Sequence, residues 1–249
     1  MTKNTDVLIK EHERLDDLHR CGYMIIQDPA KFCFGMDAVL LSGFCNVGKG
    51  ESVLDLGTGT GVIPILLAAK TKAKYLAGIE LQEENADMAA RSVEYNALAE
   101  RVRIIHGDVT KIEDIVSAHS FDVVTANPPY MKLGSGATCE HSAKAIARHE
   151  LTMSLDECLR AAAYALKFGG RLYMVHRPSR LADIMCSLRA HKLEPKQIRF
   201  IQPYADKAPN LVLIEARSGG GAELRVMPPL VVYEKDGNYT KECYEIYYQ

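Results

Sequence analysis

Apolar positions along the chain come in short blocks rather than long runs. Ser52–Leu56, Tyr75–Ile79, Val102–His106, Phe121–Ala126 and Arg171–Val175 are brief and predominantly apolar, and read as buried strands. Stretches of helical period lie between them. Val62–Ala69 predicts a helix whose Pro64 sits in the first turn, where few intrahelical donors are lost. Across Glu83–Asn96, Ala86, Ala89, Ala90 and Val93 fall on one helical face. Thr110–Ser117 predicts a shorter helical stretch. Ser154 with Glu157 forms a capping-box pattern, opening a helix that runs to about Lys167, ahead of Gly169-Gly170. Pro178-Ser179 starts another, reaching about His191, and Gln197–Ile201 and Leu211–Ala216 follow as strands.

Strands regularly separated by helices predict an α/β fold, a doubly wound and mostly parallel sheet covered on both faces. Only Gln202–Asn210 separates the last two strands, so they are expected to form an antiparallel pair. In the tail, Leu230–Tyr233 and Tyr239–Tyr248 read as strands joined at an Asp236-Gly237 turn. The expected organisation is an N-terminal extension over 1–45 that packs on the core, a core over 46–217, and a β appendage over 218–249.

Composition narrows the class. Of 249 residues, 47% are hydrophobic and 25% charged, which excludes a disordered or collagen-like chain. Seven cysteines at scattered spacings contain no C-x-x-C pair, so no metal site is expected and free thiols in a reducing compartment are. The charged N-terminus lacks the apolar centre of a signal peptide, and no run approaches the roughly 18 apolar residues of a membrane span. These features predict a cytoplasmic protein with no membrane partner, with a monomer as the default. Net charge is −2, but it is unevenly spread. Glu80–Asp122 carries ten acids against four bases, whereas Arg171–Phe200 carries seven bases against two acids. The second segment has the charge to hold phosphates.

Candidate chemistry gathers at strand ends. Asp55-Leu56-Gly57-Thr58-Gly59-Thr60-Gly61 joins the first core strand to a helix, permitting a tight turn and close backbone approach to a ligand. Its third glycine comes one residue too early for the dinucleotide pattern. Glu80 ends the next strand and Asp108 follows the third, each with an apolar neighbour, Leu81 and Val109, expected to line the same ligand. Three acids at one carboxyl edge suit ribose hydroxyls, an adenine amino group and a cationic ligand, and would repel a pyrophosphate. S-adenosylmethionine, a sulfonium without phosphates, fits that rim better than NAD. Asn127-Pro128-Pro129-Tyr130 follows the apolar strand Phe121–Ala126. Two prolines remove two donors and fix φ, so the turn presents carbonyl oxygens rigidly, and Asn127 adds a side-chain acceptor. Such a set grips an –NH2 group by both hydrogens and aims its lone pair; alignment of that kind can offset about 7–11 kcal/mol. Tyr130 is expected to stack on a planar substrate.

In this order, the glycine loop, Glu80, Asp108 and Asn127-Pro128-Pro129-Tyr130 resemble the class I S-adenosylmethionine-dependent amino-methyltransferases. Glu13–Leu18, Ile26-Gln27, Phe34 with Asp37–Leu41, Ala147–Glu150 and His176-Arg177-Pro178 extend the likeness to the bacterial tRNA-Val adenine-N6 methyltransferase family over nearly the whole chain. The resemblance implies a Rossmann-like seven-stranded sheet, S-adenosylmethionine as cofactor held by Asp55, Gly57, Thr58, Gly59, Gly61, Glu80, Leu81, Asp108, Val109 and Asn127, and catalysis by Asn127, Pro128, Pro129 and Tyr130. It also implies tRNA as substrate, methylated on adenine N6 in the anticodon loop. The same grip would serve a glutamine amide in a protein substrate, and a non-catalytic module that keeps the fold is a further alternative. Met131–Glu150, with Arg148, His149 and Glu150, reads as a flap over the substrate.

Overall fold

The computed structural model describes residues 9–31, 33–128, 130 and 153–248. A hairpin of β1 (Arg14–Asp17) and β2 (Met24–Gln27) precedes α1 (Met36–Phe44). The central series then runs β3 (Ser52–Leu56), α2 (Val62–Lys70), β4 (Tyr75–Glu80), α3 (Glu83–Tyr95), β5 (Val102–His106) and β6 (Phe121–Ala126). After it come α4 (Leu155–Ala165), β7 (Leu166–His176), α5 (Leu181–Ala190), β8 (Leu193–Gln202), β9 (Leu211–Ser218), β10 (Arg225–Val231) and α6 (Lys241–Tyr248).

One sheet, ordered β10-β8-β9-β7-β6-β3-β4-β5, organises these elements. β3, β4, β5, β6 and β7 are mutually parallel neighbours, and β9 runs antiparallel to both β7 and β8. The mostly parallel, doubly wound sheet and the antiparallel pair thus match the expectation from the sequence. The strand count does not. Among the described residues the sheet holds eight strands rather than seven, because β10 adds in parallel to β8 at the edge, with Arg225 opposite Gln197. The tail segment after it also differs: Lys241–Tyr248 is a helix, not the second strand of a hairpin. Cys243, Ile246 and Tyr247 share its inward face and join the core around α1. The Asp236-Gly237 turn is real, closing on a bridge between Tyr233 and Tyr239.

Because β3 is covered on both sides, its five residues are all buried. The two-residue period sends Val53 into one apolar layer and Leu54 and Leu56 into the other. The first layer packs α1, α2 and the β1–β2 hairpin; the second packs α4 and α5. The hairpin is tied to α3 by Ile26 N–H donating to Ser92 Oγ at 2.9 Å, and by Arg91 gripping Glu13 through two hydrogen bonds of 2.6 Å. The capping box at Ser154 and Glu157 forms as the sequence suggests, and α4 ends at Ala165 rather than Lys167 because β7 begins directly after it.

Candidate active site

The chain leaves β3 for α2 and β4 on one side of the sheet, and places β6 and β7 on the other. In such sheets a crevice opens where the winding direction switches, outside the strands' carboxyl ends. Leu56 pairs with Ile79 on one flank and Ala126 on the other, so Gly57, Glu80 and Asn127 emerge side by side. A cavity of about 1150 Å³ lies there.

The glycine loop forms its floor. Gly57, Gly59 and Gly61 have φ of +69°, +57° and +86°, a region that side chains disfavour. Thr58 N–H donates to Ile79 C=O at 2.9 Å, laying the loop across the end of β4. That crossing requires Gly78: a Cβ there would lie 2.7 Å from Thr58 Oγ1. Glu80, almost fully buried, receives Gly59 N–H on Oε2 and Gln82 N–H on Oε1, both at 2.9 Å. Its carboxylate therefore holds the loop and the start of α3 in register while lining the cavity. Asp108 also lines it, and its Oδ1 accepts from Thr110 N–H and Oγ1–H at 2.9 and 2.7 Å, capping the short 3₁₀ turn Val109–Asp114.

Asp55 is placed differently. It is 1% exposed and lies beneath the loop rather than on the cavity wall. Thr125 Oγ1–H donates to its Oδ1 at 2.6 Å, while Oδ2 has no hydrogen-bond partner among the described residues. Burial pushes its carboxyl up to about 7, with the Thr125 hydrogen bond opposing the shift. Gly61 is also off the cavity wall; it caps α2, with Ala89 Cβ 3.1 Å from where its own Cβ would be. Among the other expected ligand residues, Gly57, Thr58, Gly59, Glu80, Leu81, Asp108, Val109 and Asn127 all border the cavity, as do Pro128 and Tyr130. Pro129 and the expected flap, Met131–Glu150 with Arg148, His149 and Glu150, lie outside the described residues.

Beyond β6, Tyr130 Oη is 2.5 Å from Asp37 Oδ2 and 2.7 Å from Asn127 Oδ1. Burial, together with the Asp37 charge, raises the phenol far above its ordinary value, so it stays protonated. The Arg177 guanidinium lies 5.0 Å from the Tyr130 ring centroid. His176, buried behind that ring at 5.2 Å, is pushed down to about 4 by desolvation and the nearby Arg180 charge. It is a neutral imidazole whose Nδ1 accepts Arg177 N–H at 2.8 Å.

The basic segment Arg171–Phe200 does not form one phosphate-binding face. Arg171 pairs with Glu51, Arg189 with Glu194 at 3.3 Å, and Arg199 with Glu242 at 2.7 Å. Arg177 and Arg180 are the two that reach the cavity. Sequence reasoning assigned no role there to Phe34, Met36 and Asp37 from the N-terminal segment, nor to Asn85, Met153 and Tyr233, all of which line it. Two signals were available: Phe34 and Asp37 belong to the segment that carries the family likeness, and Asn85, in the first turn of α3, is a polar residue where the helix pattern calls for an apolar one.

Residues 48–213 match a family model described as a methyltransferase domain, about two thirds of the chain. The chain belongs to the methyltransferase domain family. This methyltransferase is 27% identical over 216 residues to a Porphyromonas gingivalis protein named tRNA1(Val) (adenine(37)-N6)-methyltransferase, covering 84% of each. It is 26% identical over 233 residues to a protein of the same name from Shewanella sp. strain MR-4, covering 93% of each. Among solved structures, a protein from Agrobacterium tumefaciens titled as a predicted O-methyltransferase superposes with a TM-score of 0.70 at 24% identity, covering 84% of this chain and 94% of that one. That likeness shows the shared fold. Among the described residues of the methyltransferase, no helix is long and apolar enough to cross a membrane.

Proposed function

We propose that this methyltransferase uses S-adenosylmethionine to methylate the exocyclic N6 of an adenine in tRNA. One observation carries the reading: the end of β6 sets Asn127 and Pro128 into the same cavity that the glycine loop, Glu80 and Asp108 line. The substrate class comes from the names of its relatives.

The residues present fit the cofactor. Glu80 and Asp108 give the loop side of the cavity an acidic character, Asp55 lies buried beneath with an oxygen unpartnered among the described residues, and Phe34, Ile63, Leu81 and Val109 supply apolar wall. Arg177 and Arg180 lie toward β7 and α5, and among the described residues the loop side has no cation to hold a pyrophosphate. Glu80, Asp108 and the loop backbone would hold the nucleoside part, and the bound cofactor supplies an electrophilic methyl group on a sulfonium.

The chain's own contribution is alignment. An adenine amino nitrogen is a weak nucleophile because its lone pair is delocalised into the ring. Asn127 Oδ1 and the Pro128 carbonyl accept its two hydrogens, drawing the nitrogen toward tetrahedral geometry and turning the lone pair outward. Pro128 holds its own φ and Pro129 supplies no competing donor. Once the methyl group is attached, the nitrogen is cationic and loses a proton to solvent. The adenine must leave its stack to reach the cavity. Within this reading, residues of 1–45 and 218–249 complete the walls that 46–217 begins, through Phe34–Asp37 and Val232-Tyr233.

The test is transfer of labelled methyl to unmodified tRNA, paired with cofactor titration of the Asn127→Ala variant. Methylation is expected to fall by about 10²–10³-fold, the usual cost of removing one group that stabilises a transition state, with cofactor affinity retained. No incorporation into any tRNA pool by a cofactor-binding enzyme would sink the substrate; full activity of the variant would sink the role of Asn127.

A further inference from the structure

The Tyr130 hydroxyl sits between two oxygens, Asp37 Oδ2 at 2.5 Å and Asn127 Oδ1 at 2.7 Å, and a neutral phenol has one proton to give. The carboxylate, as the charged acceptor, takes it. An amide oxygen then faces a phenol oxygen with no hydrogen between them, which is repulsive. Turning the Asn127 amide over removes the conflict, since its two ends are nearly equal in size and are assigned by their hydrogen bonds. Nδ2–H then donates to Tyr130 Oη, and Oδ1 occupies the other position. Among the described residues nothing else holds the Asn127 side chain.

We propose that Asp37 is a positioning residue that sets the direction of the chain Asn127 N–H to Tyr130 O–H to Asp37, so that the Asn127 carbonyl oxygen is left free in the cavity to accept the substrate's amino hydrogen. The inference rests on the reading of Asn127 given above. Asp37 cannot be swapped for its amide without reversing the chain. Its Oδ1 already accepts Ala38 N–H at 2.9 Å, so in an Asp37→Asn variant the oxygen stays with that donor and the –NH2 faces Tyr130. The phenol must then give its proton to Asn127, fixing the carbonyl away from substrate. Shape and volume are unchanged; only the polarity turns round.

That reversal yields a test that packing alone would not pass. Asp37→Asn should lower kcat by about 10²-fold, the scale of losing one transition-state hydrogen bond, with cofactor affinity and thermal midpoint close to wild type. Tyr130→Phe should cost about tenfold or less, because the amide loses its anchor without being locked the wrong way. The double variant should match Tyr130→Phe, regaining about tenfold over Asp37→Asn, a coupling that independent sites do not show. A mild Asp37→Asn variant, or a double variant no better than it, would overturn the inference. Side-chain amide exchange of Asn127, followed by NMR, reads the orientation without any substrate. Slow exchange in wild type that quickens in Tyr130→Phe is expected. Equal rates in the two would overturn the orientation even if tRNA is the substrate. Conversely, an inactive Asn127→Ala with a fully active Asp37→Asn would leave the functional reading standing and remove only this one.

Discussion

Asp55 shows how one buried acid couples the site to the stability of the fold. Its carboxyl titrates near 7 in the native state because it is desolvated under the glycine loop, against about 3.9 for an unperturbed side chain. The native protein therefore holds a proton that the unfolded chain releases between these values. Stability contributed by this group is present in full below about pH 4 and is lost as pH rises through 7. Asp55→Asn keeps an acceptor for Thr125 and never ionises. Urea unfolding of the two proteins should agree near pH 4 and diverge toward pH 8, with the variant more stable by roughly 2–4 kcal/mol. A constant difference across that range would show that the carboxyl stays ionised. At this scale the sequence was informative where a residue's position follows from a strand end. Glu80, Asp108 and Asn127 reach the cavity because each lies at, or one or two residues beyond, the end of a parallel strand. Asp55 was placed one layer wrong: strand alternation turns it into the sheet face, under the loop that its neighbours form. Asp37 had no legible partner, since its meeting with Tyr130 spans 93 residues and depends on how α1 docks.

Among the elements, the turn from β3 into α2 depends on the middle of β4. Gly78 lets Thr58 lie directly on the strand, and Gly78→Ala would drive a methyl group into that side chain. Overpacking of this kind costs about 1–3 kcal/mol. Because Thr58 and Gly59 line the cavity, denaturant midpoint and cofactor affinity should fall together. A variant that loses stability yet binds cofactor normally would mean that the loop relaxes independently of β4. The β–α alternation could be read from the sequence because doubly covered strands are apolar throughout, as β3 is. The last helix could not be read so easily. Lys241–Tyr248 is rich in tyrosine, which favours strands, yet Cys243, Ile246 and Tyr247 recur at helical spacing, and burial of that face decides the outcome. The hairpin at the N-terminus is held by side-chain bonds from α3, through Ser92, Asn96 and Arg91, which no local pattern announces.

For the molecule as a whole, the unexpected eighth strand defines an open edge. β10 carries Pro228 and Pro229, both exposed, and its register with β8 breaks between Met227 and Leu230. Prolines and a bulge remove ladder donors from the outermost strand, a known guard against sheet-to-sheet association. Replacing both prolines with valine should yield larger species in size-exclusion chromatography at high concentration, with the fraction that elutes as the wild type keeping its activity. A double variant that elutes unchanged would assign the guarding role to the α6 side of the edge. The strand count was missed because Arg225–Val231 is broken by these same prolines, which argue against a strand when read alone.

The position of β10 has a consequence for how the protein is made. The glycine loop that lines the cavity follows β3, whereas Val232 and Tyr233, which also line it, follow β10, the last strand to leave the ribosome. A nascent chain thus acquires the glycine loop, Glu80 and Asp108 well before the two residues that complete the cavity's lining. Order of synthesis separates parts of the chain that the finished molecule brings together around one chamber.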